Sequence, residues 1–439
     1  MTSRRRTTRA QSERSPLVHG GAARFALLGG VAVGHATDEE GATGLTVVRG
    51  ERGPMRGAAA IVGRATGTRD MLPLTTHHLA DRVDAVLLTG GSAYGLDAAA
   101  GVMRWMEERG RGLAVGPGVV PIVPAAVVFD LAPLGRFDAR PTPAMAYDAC
   151  ERASSRDVAE GSVGAGTGTT VGKGAGVERA MKGGVGCAVA SSAESDGVAA
   201  DALHVGALAV VNALGDVRDD RGAILAGARD GRGGFVDVAR FLARGGDGEV
   251  AAAAMRNTTL AVVMASVPLS RAELQQVAQA ATAAFHRRIT PAGTSFDGDV
   301  VFALAPLDTE EVSGDSGDAA RDAVRDAVRD AVPDAVPDAK RDAASVAGGP
   351  PRRDVASSPS LGHHPSIARR ADFSPAALLQ VEALAVAALE LAIERAVRLA
   401  RGRDGIPGLG DDDEPGDDRE AGGGEAGGGT HHGQRDSRP

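Results

Sequence analysis

The sequence predicts an α/β fold, and two stretches that each join an apolar strand to a helix are the main reason. In "VDAVLLTGGSAYGLDAAAGVMRWMEERG", residues 83–110, an apolar run meets a glycine-rich turn and then a helix with Leu96, Val102, Met103 and Met106 on its apolar face. In the second, a strand over residues 258–267 runs into Ser270 with Glu273 three positions on, the spacing of a capping box. That helix is expected to run to about Arg287.

The remaining elements follow in chain order. Residues 1–24 are polar and Arg-rich and are expected to be a disordered arm. "FALLGGVAVGHATDEEGATGLTVV" has short apolar runs between Gly and Asp, which predicts strands and tight turns. Further strands are predicted in "GLAVGPGVVPIVPAAVVFDL", "GGVGCAVASS" and "LHVGALAVVNALGD", with the glycine-dense "GSVGAGTGTTVGKGAG" preceding the latter two. "TSFDGDVVFALAP" supplies a turn and an apolar strand that closes the 25–305 domain. In residues 306–372 a four-residue repeat, "RDAVRDAVRDAVPDAVPDAKRDAA", leads into a Pro/Ser/Gly-rich stretch; Pro333 and Pro337 interrupt any helix, so this reads as a solvated insertion. A helix resumes within 373–402, where Ser374 can cap, Pro375 fits the first turn and Gly402 can end it. Residues 403–439 read as a disordered acidic tail.

Composition narrows the function classes. A net charge of −9 gives no basic field for nucleic acid, and no uninterrupted run of 18 apolar residues suggests a membrane span. The Arg-rich start lacks the apolar stretch of a signal peptide, so a cytoplasmic protein is expected. Cys150 and Cys187 have no CxxC or Cys/His spacing and read as small buried hydrophobes; no metal and no cofactor are expected. Gly172-Lys173 does not complete a phosphate loop, because Thr167 and Gly174 break that pattern, and Thr169 breaks the dinucleotide glycine pattern. Close backbone packing is the expected role of that loop. "GGSAY" resembles a nucleophile elbow, but Tyr94 replaces its last glycine, so Ser92 reads as a helix-entry residue.

The step Asn257-Thr258-Thr259, between an alanine run and a strand, carries chemistry. By residue type alone it is an ordinary strand start, since Asn favours turns and Thr favours strands. A threonine hydroxyl becomes a nucleophile when a base takes its proton, and a chain cut before Thr258 would offer that residue's own α-amine, which titrates near ~8. The cut itself needs the same hydroxyl to attack the carbonyl of Asn257, helped by a flexible or strained segment such as "ARGGDGEVAAAAMRN".

"LTGGSAYGLDAAAGVMRWMEE", "VGAGTGTTVGK", "MKGGVGCA", "LAVVNALGDV", "NTTLAVVMA" and "FDGDVVFAL", in this order, resemble the L-aminopeptidase D-amidase/D-esterase family, which includes the β-peptidyl aminopeptidases. The resemblance covers about residues 26–305 and the helix at 374–402. It implies a four-layer αββα sandwich, a precursor cut between Asn257 and Thr258, and Thr258 as the new N-terminal nucleophile. Better-known members use Ser at that place. It further implies that Asp297 and Asp299 orient the nucleophile and that Asn212 stabilises the oxyanion. Registering the chain on Gly215 displaces Asn212 by one residue, which leaves the direction of its side chain to the tertiary structure. The implied substrate is a short peptide or an amino-acid amide or ester, and the implied assembly a homo-oligomer of two-chain protomers. Two other readings use the same residues: an acyltransferase, as in the architecturally related ornithine acetyltransferases, and an unprocessed scaffold whose glycine loops bind an anion.

Overall fold

The computed structural model describes residues 18–20, 22–28, 30–192, 202–246, 257–307 and 374–413. Most of the Arg-rich arm, most of the stretch upstream of Asn257, the repeat insertion from 308 and the acidic tail from 414 lie outside these residues.

Two sheets organise the chain. The six-stranded sheet has the order β1 (Val18–Gly20), β8 (Gly184–Ser191), β9 (His204–Asn212), β10 (Thr258–Ala265), β11 (Val300–Pro306), β4 (Met55–Ile61). Its neighbours are antiparallel except β10 and β11, which run parallel with Leu260 opposite Val300. Parallel neighbours need a crossover, here supplied by helices α4 (Arg271–Ala281) and α5 (Ala283–Arg288), which follow the short α3 (Val238–Ala243) in the chain. The five-stranded sheet has the order β2 (Val31–Asp38), β3 (Thr43–Gly50), β6 (Ala85–Thr89), β7 (Ala125–Val127), β5 (Thr68–Arg69).

Side-chain alternation sorts each strand between two cores. On β9, β10 and β11 the residues Leu208, Val210, Leu260, Val262, Phe302 and Leu304 meet Val33, Val48, Val86 and Leu88 of the other sheet. The alternate residues, among them Ala207, Ala209, Ala261, Val263 and Ala303, pack beneath α4, α5 and α6 (Pro375–Arg398). Beyond the five-stranded sheet, Leu45, Val47 and Leu87 pack against α1 (Ala99–Glu107) and α2 (Pro143–Arg152).

Several expectations are corrected. "FALL" is part of a 3-10 helix, Ala22–Leu28, with Phe25 and Leu28 buried among inter-sheet residues, so its apolar run has no strand partner to pair with. The arm is not wholly outside the fold, because Val18–Gly20 pairs with Gly184–Ser191 as an edge strand. The helix after β10 breaks at Thr282 and ends at Arg288. The last helix stops at Arg398, before Gly402, and residues 403–413 do not behave as tail: Pro407 accepts from Lys182 N and Asp411 accepts from Gly402 N. By length and composition α6 could cross a membrane, but Val381, Leu384, Ala388, Leu389, Ala392 and Ile393 bury one face of it on the six-stranded sheet.

Aromatics make up only 3% of the residues, and small side chains bring backbones together instead. A Cβ on Gly186 would lie 2.1 Å from the Ala392 carbonyl oxygen and 2.4 Å from Ala396 N, so β8 and α6 touch main chain to main chain. Gly186→Ala should therefore destabilise the protein by about 1–3 kcal/mol through overpacking, read as a lower thermal midpoint. Gly53→Ala, where a Cβ meets nothing within 4 Å, is the control. Equal midpoints for the two variants would contradict this packing argument.

Candidate active site

The end of β9 and the start of β10 lie side by side, with Asn212 directly opposite Thr258. Leu208, Val210, Leu260 and Val262 face the other sheet, so alternation sends Asn212 and Thr258 the same way and Thr259 toward the helices. The one-residue displacement on the sequence therefore leaves Asn212 on the same face as the hydroxyl. Both residues are buried, Thr258 at 5% exposure and Asn212 at 1%.

The Thr258 hydroxyl donates to the carbonyl oxygen of Asn257 at 2.5 Å. Gly298 N donates to the same oxygen at 3.0 Å. The parallel register of β10 and β11 extends one step upstream as a bridge between Asn257 and Asp297, which brings the Asp297-Gly298-Asp299 turn against Thr258.

Asp297 and Asp299 do come together. Their carboxylates accept from adjacent amides of one turn, Asp297 from Thr294 N at 2.7 Å and Asp299 from Gly293 N at 3.0 Å. The other oxygen of Asp299 accepts from Thr259 N at 2.6 Å, so this carboxylate holds the backbone one residue beyond Thr258. Burial, reinforced by the neighbouring Asp297 charge, pushes Asp299 up to about 7.

Asn212 is held from both ends of its amide. Its side-chain oxygen accepts from Thr170 N at 3.1 Å and from Lys173 Nζ at 2.7 Å, while its amide donates to the Phe129 carbonyl at 3.0 Å. Lys173 is 1% exposed and also donates to the Asn212 carbonyl at 3.1 Å. Sequence reasoning missed this lysine by testing it only against phosphate loops. The usable signal was a lysine between two glycines inside an otherwise uncharged loop. The loop's glycines do serve close packing, since Gly172 has φ 75° and a Cβ there would lie 2.2 Å from Ala228 N.

A second group supports the site from the five-stranded sheet. Asp130, next to Phe129, accepts from Thr43 Oγ1 and Gly91 N, both at 2.6 Å, and burial pushes its carboxyl up to about 6. Lys182 donates to three carbonyls, of Gly166, Thr169 and Gly183, and fastens the loop that carries Thr170 and Lys173. Ser92 opens a 3-10 helix at φ 51° and lies outside these contacts to Asn212 and Thr258.

A profile of peptidase family S58 matches residues 28–352. An uncharacterized aminopeptidase of Mycobacterium tuberculosis is 42% identical over 299 residues, 63% of this chain and 80% of its own length. A 6-aminohexanoate-oligomer endohydrolase of Kocuria sp. is 30% identical over 293 residues, 64% of this chain and 74% of its own length. Among solved structures, the L-aminopeptidase D-Ala-esterase/amidase of Ochrobactrum anthropi, described as a variant of the Ntn-hydrolase fold, aligns with a TM-score of 0.56 at 18% identity, covering 88% of this chain and 89% of the other. A β-aminopeptidase of Burkholderia sp. aligns with a TM-score of 0.54 at 18% identity, covering 89% and 91%. These two share the mixed α/β fold. The extent of the family match and the identity to the aminopeptidase relatives lead to one conclusion: the chain belongs to peptidase family S58 and is a hydrolase of peptide bonds.

Proposed function

We propose that this chain is a self-processing aminopeptidase or amidase that cuts itself between Asn257 and Thr258 and then uses Thr258 as an N-terminal nucleophile. The observation that carries the reading is the Thr258 hydroxyl lying against the carbonyl of Asn257, in a buried position at the head of a central strand. The helix–sheet–sheet–helix order of a four-layer αββα sandwich belongs to the same reading and is supported by the three apolar clusters. The proposed substrates are short peptides and amino-acid amides or esters, and the proposed assembly is a homo-oligomer of two-chain protomers.

In self-cleavage the Thr258 oxygen attacks the Asn257 carbonyl carbon. The C–N bond then breaks, the nitrogen leaves as an amine with a proton, and water opens the resulting ester to a carboxylate. In turnover the freed α-amine accepts the hydroxyl proton while the oxygen attacks the substrate carbonyl, and it passes that proton to the leaving amine. Asn212 stabilises the oxyanion, and the Lys173 ammonium on its side-chain oxygen polarises the amide toward stronger donation. Asp297 and Asp299 place negative charge near the new ammonium. Water releases the acyl group.

Thr258→Ala should remain one uncut 439-residue chain without amidase activity. Thr259→Ala and Thr258→Ser should both be cut, because Thr259 faces the helices and serine keeps the hydroxyl. Intact-mass measurement decides: a fragment beginning at Thr259, or cleavage of Thr258→Ala, would sink the assignment.

Lys173→Met should lower turnover per cut chain by ~10²-fold, on the order of losing one oxyanion donor. The check is hydrolysis of an amino-acid p-nitroanilide normalised to the cut fraction. An unchanged kcat would remove Lys173 from the mechanism.

Asp299 also makes stability depend on pH. Its folded value is raised from 3.8 to about 7, so between about pH 4 and pH 7 the folded chain holds a proton that the unfolded chain has released. Stability from this group is fully present below about pH 4 and is lost as pH rises to about 7. In the uncut Thr258→Ala chain, adding Asp299→Asn should flatten the fall of the thermal midpoint across this window. Identical slopes in the two proteins would contradict it.

A further inference from the structure

We infer that the main-chain N–H of Gly298 is the oxyanion donor for self-cleavage and that turnover uses a different donor, Asn212. This rests on the proposed cut between Asn257 and Thr258. The oxygen that becomes negative in that cut is the Asn257 carbonyl oxygen, and Gly298 N already donates to it at 3.0 Å. The attacking hydroxyl lies 2.5 Å from the same oxygen, so nucleophile and donor converge on one peptide group in the uncut chain. Asn212 is committed elsewhere in this state, with its amide on the Phe129 carbonyl.

The donor is aimed by backbone on both of its flanks. Ala65 N donates to the Asp297 carbonyl at 2.9 Å, and Val62 N and Gly63 N donate to the Asp299 carbonyl at 2.9 and 3.2 Å. The segment just after β4 thus fixes the peptide that carries the Gly298 N–H and the peptide that follows Asp299. The approach is close enough that a Cβ on Gly63 would lie 1.9 Å from the Asp297 carbonyl oxygen.

Position 298 has a second constraint. A Cβ there would lie 2.7 Å from Thr258 Oγ1 and 2.9 Å from the Ala65 carbonyl oxygen. Any L side chain therefore pushes on the nucleophile. Glycine supplies the N–H and leaves room for the hydroxyl beside it. As Oγ1 bonds to the carbonyl carbon, the C=O electron pair moves onto oxygen and meets this N–H. When the C–N bond breaks the oxygen returns to a carbonyl, now of the Asn257 ester. After water releases Asn257 as a carboxylate, that oxygen is no longer part of the reacting group, and each substrate carbonyl approaches on the Asn212 side of Thr258.

The test replaces Gly298 by glycolate in the full-length chain, through suppressor tRNA in cell-free synthesis. This exchanges the one N–H for an ester oxygen. Formation of the fragment beginning at Thr258 is followed by mass spectrometry, and hydrolysis of an amino-acid p-nitroanilide is measured per cut chain. The expected result is self-cleavage slowed ~10²–10³-fold, the effect of losing one oxyanion donor, with turnover per cut chain slowed at least tenfold less. Gly298→Ala, which keeps the N–H but crowds Oγ1 and the Ala65 carbonyl oxygen, should also cut at least tenfold more slowly, as a folded chain with a cooperative thermal transition. If wild type is cut at Thr258 and both variants are cut at its rate, the inference is overturned. Equal slowing of cleavage and turnover overturns the division between the two donors. An uncut wild-type chain instead overturns the proposed function itself.

Discussion

The site depends on the register of one strand. β10 pairs antiparallel with β9 and parallel with β11, and the two pairings together set Thr258 beside Asn212 and, one step upstream, Asn257 beside Asp297. Side chains alternate with period two, so a slip of one residue would turn the Thr258 hydroxyl toward the helices and bring Thr259 between the sheets. The same slip would put Leu260 and Val262 on the wrong side of the strand. Burial of the inter-sheet core therefore holds the chemistry in register.

Close approach of main chains is the second constraint. The glycines and alanines that join β8 to α6 also recur at the site, where Gly63 and Gly298 let the 62–65 segment and the 297–299 turn meet near Thr258. Bulkier residues would give more apolar contact per residue and would separate the backbone donors from the Asn257–Thr258 peptide. A core poor in aromatics and rich in alanine thus belongs to the same design as the active site.

Buried charge completes the arrangement. Lys173 and Lys182 sit at 1% exposure, each donating to oxygens of nearby residues, and the aspartates at 297 and 299 each sit at 2% and accept backbone N–H groups. Isolated charges would be costly in such places, and their hydrogen-bond partners offset that cost. Under the proposed self-cleavage, the α-ammonium of Thr258 would add one more charge near Asp299, whose charged form burial disfavours.

The sequence by itself determined what depends on local pattern: the strands at 184–191, 204–212, 258–265 and 300–306, the capped helix after Ser270 and the helix after Ser374, while the candidate group Asn212, Thr258, Asp297 and Asp299 came from its resemblance to a family. Apolar alternation, caps and quoted motif blocks are short-range signals, and they survive folding. Tertiary structure alone decided the rest. Lys173 joined the site because its loop folds back over the end of β9, which no spacing in the chain encodes. "FALL" became a 3-10 helix because its apolar residues found a core without a strand partner. Helix α6 ended before its glycine, and residues 403–413 packed, because contacts with Lys182 and neighbouring loops closed that end of the chain. The contact of Gly298 with Asn257 was equally invisible, since a glycine in a D-G-D turn looks like any turn residue until a parallel strand brings the Asn257 carbonyl to its N–H.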